Sequence, residues 1–261
     1  MAADAPPPER TRGPATTVAA GGVLLAVLAK AKGLLIGLKF LKLGKLTLTF
    51  VSMFATIWVY AQSGGWAFGV GFVLLILIHE LGHAVAIRRA GLAAGYPVFI
   101  PFFGAMIALK DQPRNALVEA EIALAGPVAG TVAATTCAAL FFASHDKLFL
   151  SLAYSGFFLN LFNLTPLPPL DGGRVASMFS RKVWIIGLAL LGAMFFFTAT
   201  PQLLLIGLMA LGQVFGGRRR PASYDVNDEI TPAVRQGMAI RYFGLCAFLA
   251  VGAYFAHQLL N

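Results

Sequence analysis

Three ionisable residues stand together inside an otherwise apolar stretch, Leu74-Leu75-Ile76-Leu77-Ile78-His79-Glu80-Leu81-Gly82-His83-Ala84-Val85. Residues four apart on a helix share one face, so His79 and His83 can both direct ring nitrogens at a single ion. Glu80 lies about 100° around the helix from His79, placed to reach a water on that ion without being a ligand. Ionisable side chains at membrane depth cost several kcal/mol and mark functional sites by default. A catalytic zinc takes three protein ligands and keeps one position for water, so a third ligand must come from elsewhere. His145 and His257 fall near the opposite membrane face in the topology derived below. Glu119 and Glu121 open a predicted span, where carboxylates complement a helix N-terminus. Asp171 remains, in the run N-L-F-N-L-T-P-L-P-P-L-D-G-G-R at the end of another span. Its depth and chemistry suit it as the third ligand. Pro166, Pro168 and Pro169 predict an extended approach to it, and Gly172-Gly173 a turn with positive φ directly after it.

The elements that must position these residues are membrane helices. Of 261 residues, 58% are hydrophobic and 12% charged, about half the charge that a soluble domain carries. Soluble enzyme, secreted disulfide scaffold and disordered regulator are thereby excluded as the main reading. Uncharged runs at 46–78, 122–144, 148–170, 183–217 and 242–261 each reach the roughly 18–20 residues that cross a bilayer. The net charge of +9 does not imply nucleic acid as a partner, because its geography follows a membrane rule. With a cytoplasmic N-terminus, every span-flanking Lys and Arg except Lys147 faces the cytoplasm, provided that 183–217 crosses twice around Thr200-Pro201.

The expected architecture is an all-α polytopic membrane protein of about seven transmembrane helices, with a short re-entrant β-like segment near the active site. That segment is 95–109, apolar and interrupted by Pro97, Pro101 and Gly104. Four regions follow: a disordered cytoplasmic tail at 1–16, a basic interfacial helical segment at 17–45, a catalytic membrane core at 46–180, and C-terminal transmembrane helices at 181–261 with a cytoplasmic loop at about 216–236. Cys137 and Cys246 fall within spans and read as inert thiols. Gly126-Pro127-Val128-Ala129-Gly130 reads chiefly as a close helix contact, since small residues four apart let helices approach.

His79-Glu80-Leu81-Gly82-His83, together with Asn163-Leu164-Thr165-Pro166-Leu167-Pro168-Pro169-Leu170-Asp171-Gly172, resembles the paired motifs H-E-x-x-H and N-x-x-P-x-x-x-L-D-G of the site-2 protease family of intramembrane zinc metalloproteases. The resemblance covers roughly residues 46–180. It implies one Zn²⁺ held by His79, His83 and Asp171, with Glu80 as general base and Asn163 binding the scissile peptide or its oxyanion. The Gly126–Gly130 run is similar to the family's glycine element in the intervening helix. Many relatives carry a PDZ or CBS domain, and neither is expected in these residues. The function implied is regulated intramembrane proteolysis, by hydrolysis of a peptide bond in or near the transmembrane segment of a single-span substrate. Phe103, Gly104, Ala105 and Met106, in the re-entrant segment, are the expected edge for that substrate. The competing reading is a polytopic metal-binding or metal-transport protein without peptidase activity. The expected location is the cytoplasmic membrane of a prokaryote, with the active site near its cytoplasmic face.

Overall fold

The computed structural model describes residues 44–109, 111–179, 182–215 and 230–261. The expected tail, nearly all of the basic segment and most of the 216–236 loop therefore lie outside the described residues. The chain divides into two compact units, 1–47 and 48–261; of the first, only 44–47 are described, and they are helical.

Helix α1 (Gly44–Arg89) is broken at Gly65, whose φ of 79° and ψ of 166° no helical residue adopts. Along an unbroken helix, Ile57 and Gly69 would stand about 18 Å apart. Instead, a side chain added at Gly69 would meet the Ile57 carbonyl at 2.8 Å, so the chain doubles back and the two arms lie together. Tyr60 and Phe72 seal them edge to face, with ring centroids 4.8 Å apart. The expected break at Gln62-Ser63-Gly64-Gly65 falls at its last residue.

The segment expected to be re-entrant is an antiparallel hairpin of β1 (Ala94–Ile100) and β2 (Gly104–Leu109), with Val98 opposite Met106 and Ile100 opposite Gly104. Phe103 N–H bonds the Ile100 carbonyl at 3.0 Å across a turn with Pro101 second and Phe102, at φ 67°, third. This is a type II arrangement with a phenylalanine where glycine is usual. At the hairpin's other end, the Asp111 carboxylate accepts the Ala93 N–H at 2.7 Å.

Helix α2 (Ala116–Ser144) starts on Asn115, whose side chain accepts the Val118 N–H at 2.8 Å, and carries Glu119 in its first turn. Helix α3 (Lys147–Asn163) is capped by Asp146 in the same way. A series of turns then leads to α4 (Asp171–Ala176), α5 (Val183–Thr198), α6 (Pro201–Phe215) and α7 (Pro232–Leu260). Ala199, left-handed at φ 48°, ends α5 and Pro201 opens α6, so the expected division around Thr200-Pro201 holds. Small side chains bring α2, α3, α4 and α7 together: Ala120, Ala123, Ala134, Ala153 and Val175 are all fully buried in one cluster with Leu164 and Tyr242. Phe196, Phe197 and Phe215 are largely exposed, as side chains that face lipid would be.

Among the described residues the protein is mostly helical, with apolar helices and one small two-stranded sheet. By length and composition, three of the described helices suffice to cross a membrane: Leu46–Arg89, Ala116–Ser144 and Pro232–Leu260. Helices α5 and α6 are apolar but only 16 and 15 residues long.

Candidate metal centre

His79 and His83 lie on the second arm of α1, each less than a tenth exposed. The Nδ1 of His83 stands 2.8 Å from the Ile122 backbone carbonyl of α2. The Nδ1 of His79 stands 2.8 Å from Oδ1 of Asn160 on α3, whose own Nδ2 donates to the Gly156 carbonyl at 2.7 Å. Both partners are acceptors, so both Nδ1 atoms carry the hydrogen and both Nε2 atoms present lone pairs. Those Nε2 atoms are 3.1 Å apart, and each is 3.2 Å from Oδ2 of Asp171.

Three lone-pair donors at such separations, two buried and the third partly buried, fit a zinc ion. Tetrahedral coordination at about 2.0–2.1 Å sets its ligand atoms about 3.3 Å apart, close to the triangle found. The outer contacts hold each imidazole in the ligating tautomer, as metal-binding histidines require. Among the described residues, His79, His83 and Asp171 are the one group of three or more His, Cys, Asp or Glu side chains able to share an ion. His145 and His257 are not in it, and Cys137 and Cys246 are free thiols. Glu80, 6% exposed, has the Ile107 backbone N–H of β2 directed at its carboxylate.

The glycines of α2 prove to serve the site more than bare helix contact. Gly82 of α1 does provide such a contact, against Ala125 and Ala129. A methyl at Gly126, however, would overlap the His83 ring, reaching Cε1 at 2.5 Å, and one at Gly130 would overlap the Asn160 amide, reaching Nδ2 at 2.5 Å. The pair leaves room for one ligand and for the partner of the other.

Asp171 is the first residue of α4, but the expected path to it needs two corrections. Residues 164–169 are turns and bends, with Leu167 N–H on the Thr165 carbonyl and Leu170 N–H on the Leu167 carbonyl, and Leu170, at φ -66° and ψ 158°, is extended. Gly172 and Gly173 are helical; the described glycines with positive φ are Gly65, Gly91 and Gly104. The reason for glycine at 172 is close approach, since a methyl there would lie 2.5 Å from the Thr165 carbonyl and closer still to that of Leu164. Arg174, one turn on, pairs with Glu119 of α2 at 3.5 Å, so Glu119 fastens the ligand's helix as well as opening its own.

Asn163 ends α3 and is half-buried, and the amide that reaches a histidine is Asn160. Asn160 was marked in the sequence by an amide inside an apolar run, one turn before Asn163. Phe103, Gly104, Ala105 and Met106 run from the hairpin turn into β2, with Phe103 and Met106 exposed. Asn160→Ala should weaken zinc affinity about 10–100-fold, and Asn160→Asp, which keeps the acceptor, should restore it. Chelator competition measures this; unchanged affinity in Asn160→Ala would mean that the His79 tautomer is set otherwise.

Residues 67–146 match the sequence model of Peptidase family M50. The chain is 32% identical over 126 residues to "Putative zinc metalloprotease Rip3" of Mycobacterium tuberculosis, covering 44% of this chain and 32% of that protein. It is 26% identical over 226 residues to "Probable zinc metalloprotease EGY2, chloroplastic" of Oryza sativa, covering 67% of this chain and 41% of that protein. Among solved structures it is similar to "Site-2 Protease from Methanocaldococcus jannaschii", with a TM-score of 0.44 and 19% identity, covering 70% of this chain and 92% of that one. The chain spans 32% to 41% of the length of these curated relatives. The stretch matched to Peptidase family M50 includes His79-Glu80-Leu81-Gly82-His83, the first of the two motifs that resemble the site-2 protease family.

Proposed function

We propose that this protein is an intramembrane zinc metalloprotease that hydrolyses a peptide bond in or near the transmembrane segment of a single-span membrane protein. The observation that carries this reading is the convergence of three lone pairs, from the buried His79 and His83 and the partly buried Asp171, beside the carboxylate-bearing Glu80. Those three residues would hold Zn²⁺, which supplies Lewis acidity toward water and the scissile carbonyl. Glu80 takes a proton from the attacking water and delivers it to the leaving nitrogen. Asn163 is assigned the oxyanion; its i+3 relation to Asn160 supports this, because such residues share a helix face.

The hairpin supports the substrate assignment. Thr49 donates to the Pro97 carbonyl at 2.6 Å, and the Ser52 hydroxyl accepts the Phe99 N–H at 3.1 Å, so the outer edge of β1 is engaged by α1. By strand alternation, Ala105 and Ile107 then turn their backbone groups outward from β2, toward Glu80. An unwound substrate segment adding to β2 along Phe103, Gly104, Ala105 and Met106 would lie beside the base, paired through its main chain. We further assign seven crossings, with both arms of α1, the α3 helix and the α5–α6 pair each spanning, a cytoplasmic N-terminus and the site near the cytoplasmic face. The placement of Lys and Arg supports that orientation.

The test is cleavage of a single-span substrate in liposomes by the purified protein. Cleavage should stop when a chelator removes zinc and return on adding one equivalent. Undiminished cleavage by metal-free protein would overturn the reading.

A further inference from the structure

Helix α4, which begins with Asp171, has six residues, too few to be stable alone, and its cap residue Leu170 makes no side-chain cap bond. The position of the third ligand therefore depends on what grips the turns before α4 and the helix itself. Two grips come from C-terminal helices that lie beyond the matched family segment. The Tyr242 hydroxyl of α7 donates to the Leu164 carbonyl. The Trp184 indole N–H, from the first turn of α5, donates to the Gly173 carbonyl at 2.9 Å.

All the partners are withdrawn from solvent and lipid: Leu164 is 1% exposed, Tyr242 4% and Trp184 5%. The Leu164 carbonyl is also the surface on which Gly172 rests, so tightly that no side chain fits between them. Tyr242 thus orients the peptide group that supports the residue after Asp171, and Trp184 holds the peptide one residue further on. Without the Tyr242 hydroxyl the Leu164 carbonyl bears the cost of desolvation, and without the Trp184 indole the Gly173 carbonyl keeps only the Ser177 N–H at 3.2 Å, so the turn has reason to move when either bond is removed. His79 and His83 have their own outer contacts, on α3 and α2 respectively.

We infer that Tyr242 and Trp184 are positioning residues for the third metal ligand, so that α5 and α7 complete the metal centre. The inference rests on the metal reading above, and its readout is zinc affinity, independent of peptide cleavage. The experiment uses the full-length protein in detergent, with zinc affinity measured by chelator competition for the wild type, Tyr242→Phe, Trp184→Phe, Asp171→Ala and the double variant Tyr242→Phe/Asp171→Ala. Tyr242→Phe, which removes one hydroxyl, should bind zinc about tenfold more weakly, and Trp184→Phe should weaken it in the same direction. With Asp171 already replaced, Tyr242→Phe should change affinity less than twofold, because the residue through which it acts is gone. Tyr154→Phe, on α3 beside His257, should match the wild type.

A merely structural tyrosine would lower thermal stability in both backgrounds and leave the affinity of the folded protein alone. Zinc affinity within twofold of wild type in both single variants would overturn the inference, as would a full tenfold loss that persists without Asp171. Failure of the wild type to bind zinc at all would overturn the metal reading first, and this inference with it.

Discussion

Replacing Glu80 by glutamine is expected to leave zinc binding within about twofold of wild type while peptide hydrolysis falls by about 10²–10⁴-fold, the range general-base catalysis contributes. Glutamine has nearly the volume of glutamate and keeps an oxygen for the Ile107 N–H, so the buried packing around position 80 survives. What it cannot do is take a proton from water. The three converging lone pairs belong to other residues and are untouched. Zinc content and single-turnover cleavage, measured on the same preparation, separate the two effects. Full zinc content with unchanged cleavage would remove Glu80 from the chemistry and falsify the proposed mechanism. Joint loss of zinc and activity would instead make Glu80 part of the metal-holding structure.

Gly126→Ala is expected to abolish stoichiometric zinc binding at micromolar metal, a loss of about a hundredfold or more, although it adds one methyl group and no charge. The new carbon would overlap the His83 ring, which has nowhere to retreat: its Nδ1 is held by the Ile122 carbonyl on the same helix, one turn away. Either that bond breaks and the tautomer is freed, or α1 and α2 separate where Gly82 packs on Ala125 and Ala129. Losing one outer contact typically weakens metal binding 10–100-fold, and here the ligand atom itself is displaced as well. Gly192→Ala on α5, where a side chain meets nothing within 4 Å, is the control and should bind zinc as wild type does. Normal zinc affinity in Gly126→Ala would show that the ring shifts without leaving the metal position.

The candidate ligands and the proposed base were legible in the sequence because charge is scarce there. His79, Glu80, His83 and Asp171 stand out against apolar neighbours, and energetic cost is what a single sequence exposes well. The hairpin was legible too, since Pro97, Pro101 and Gly104 interrupt an apolar run that cannot then be helical. Asn160 was legible only in part: an amide in a span is conspicuous, but that it faces His79 depends on how α3 lies against α1. Gly126 and Gly130 read equally well as helix contact, because spacing does not say which side chain fills the space. Positive φ was expected at Gly172, yet the chain there is helical and the glycine answers to the Leu164 carbonyl eight residues earlier. Tyr242 and Trp184 carried no signal at all. Their partners are backbone carbonyls, which every residue has.

The hairpin's two edges have a consequence for where water must be. In hydrocarbon, each unmet backbone N–H or C=O costs several kcal/mol, so a strand edge at membrane depth has to be satisfied by something. One edge of this sheet is satisfied from within by the hydroxyls of Thr49 and Ser52. The other carries the outward groups of Ala105 and Ile107, of which the Ile107 N–H meets Glu80. The rest must be hydrated when no peptide lies there. Strand β2 is therefore the wet bank of the site. Under the proposed function, the solvent that keeps it hydrated while empty would come from the same pool, beside the same carboxylate, that hydrolysis would consume.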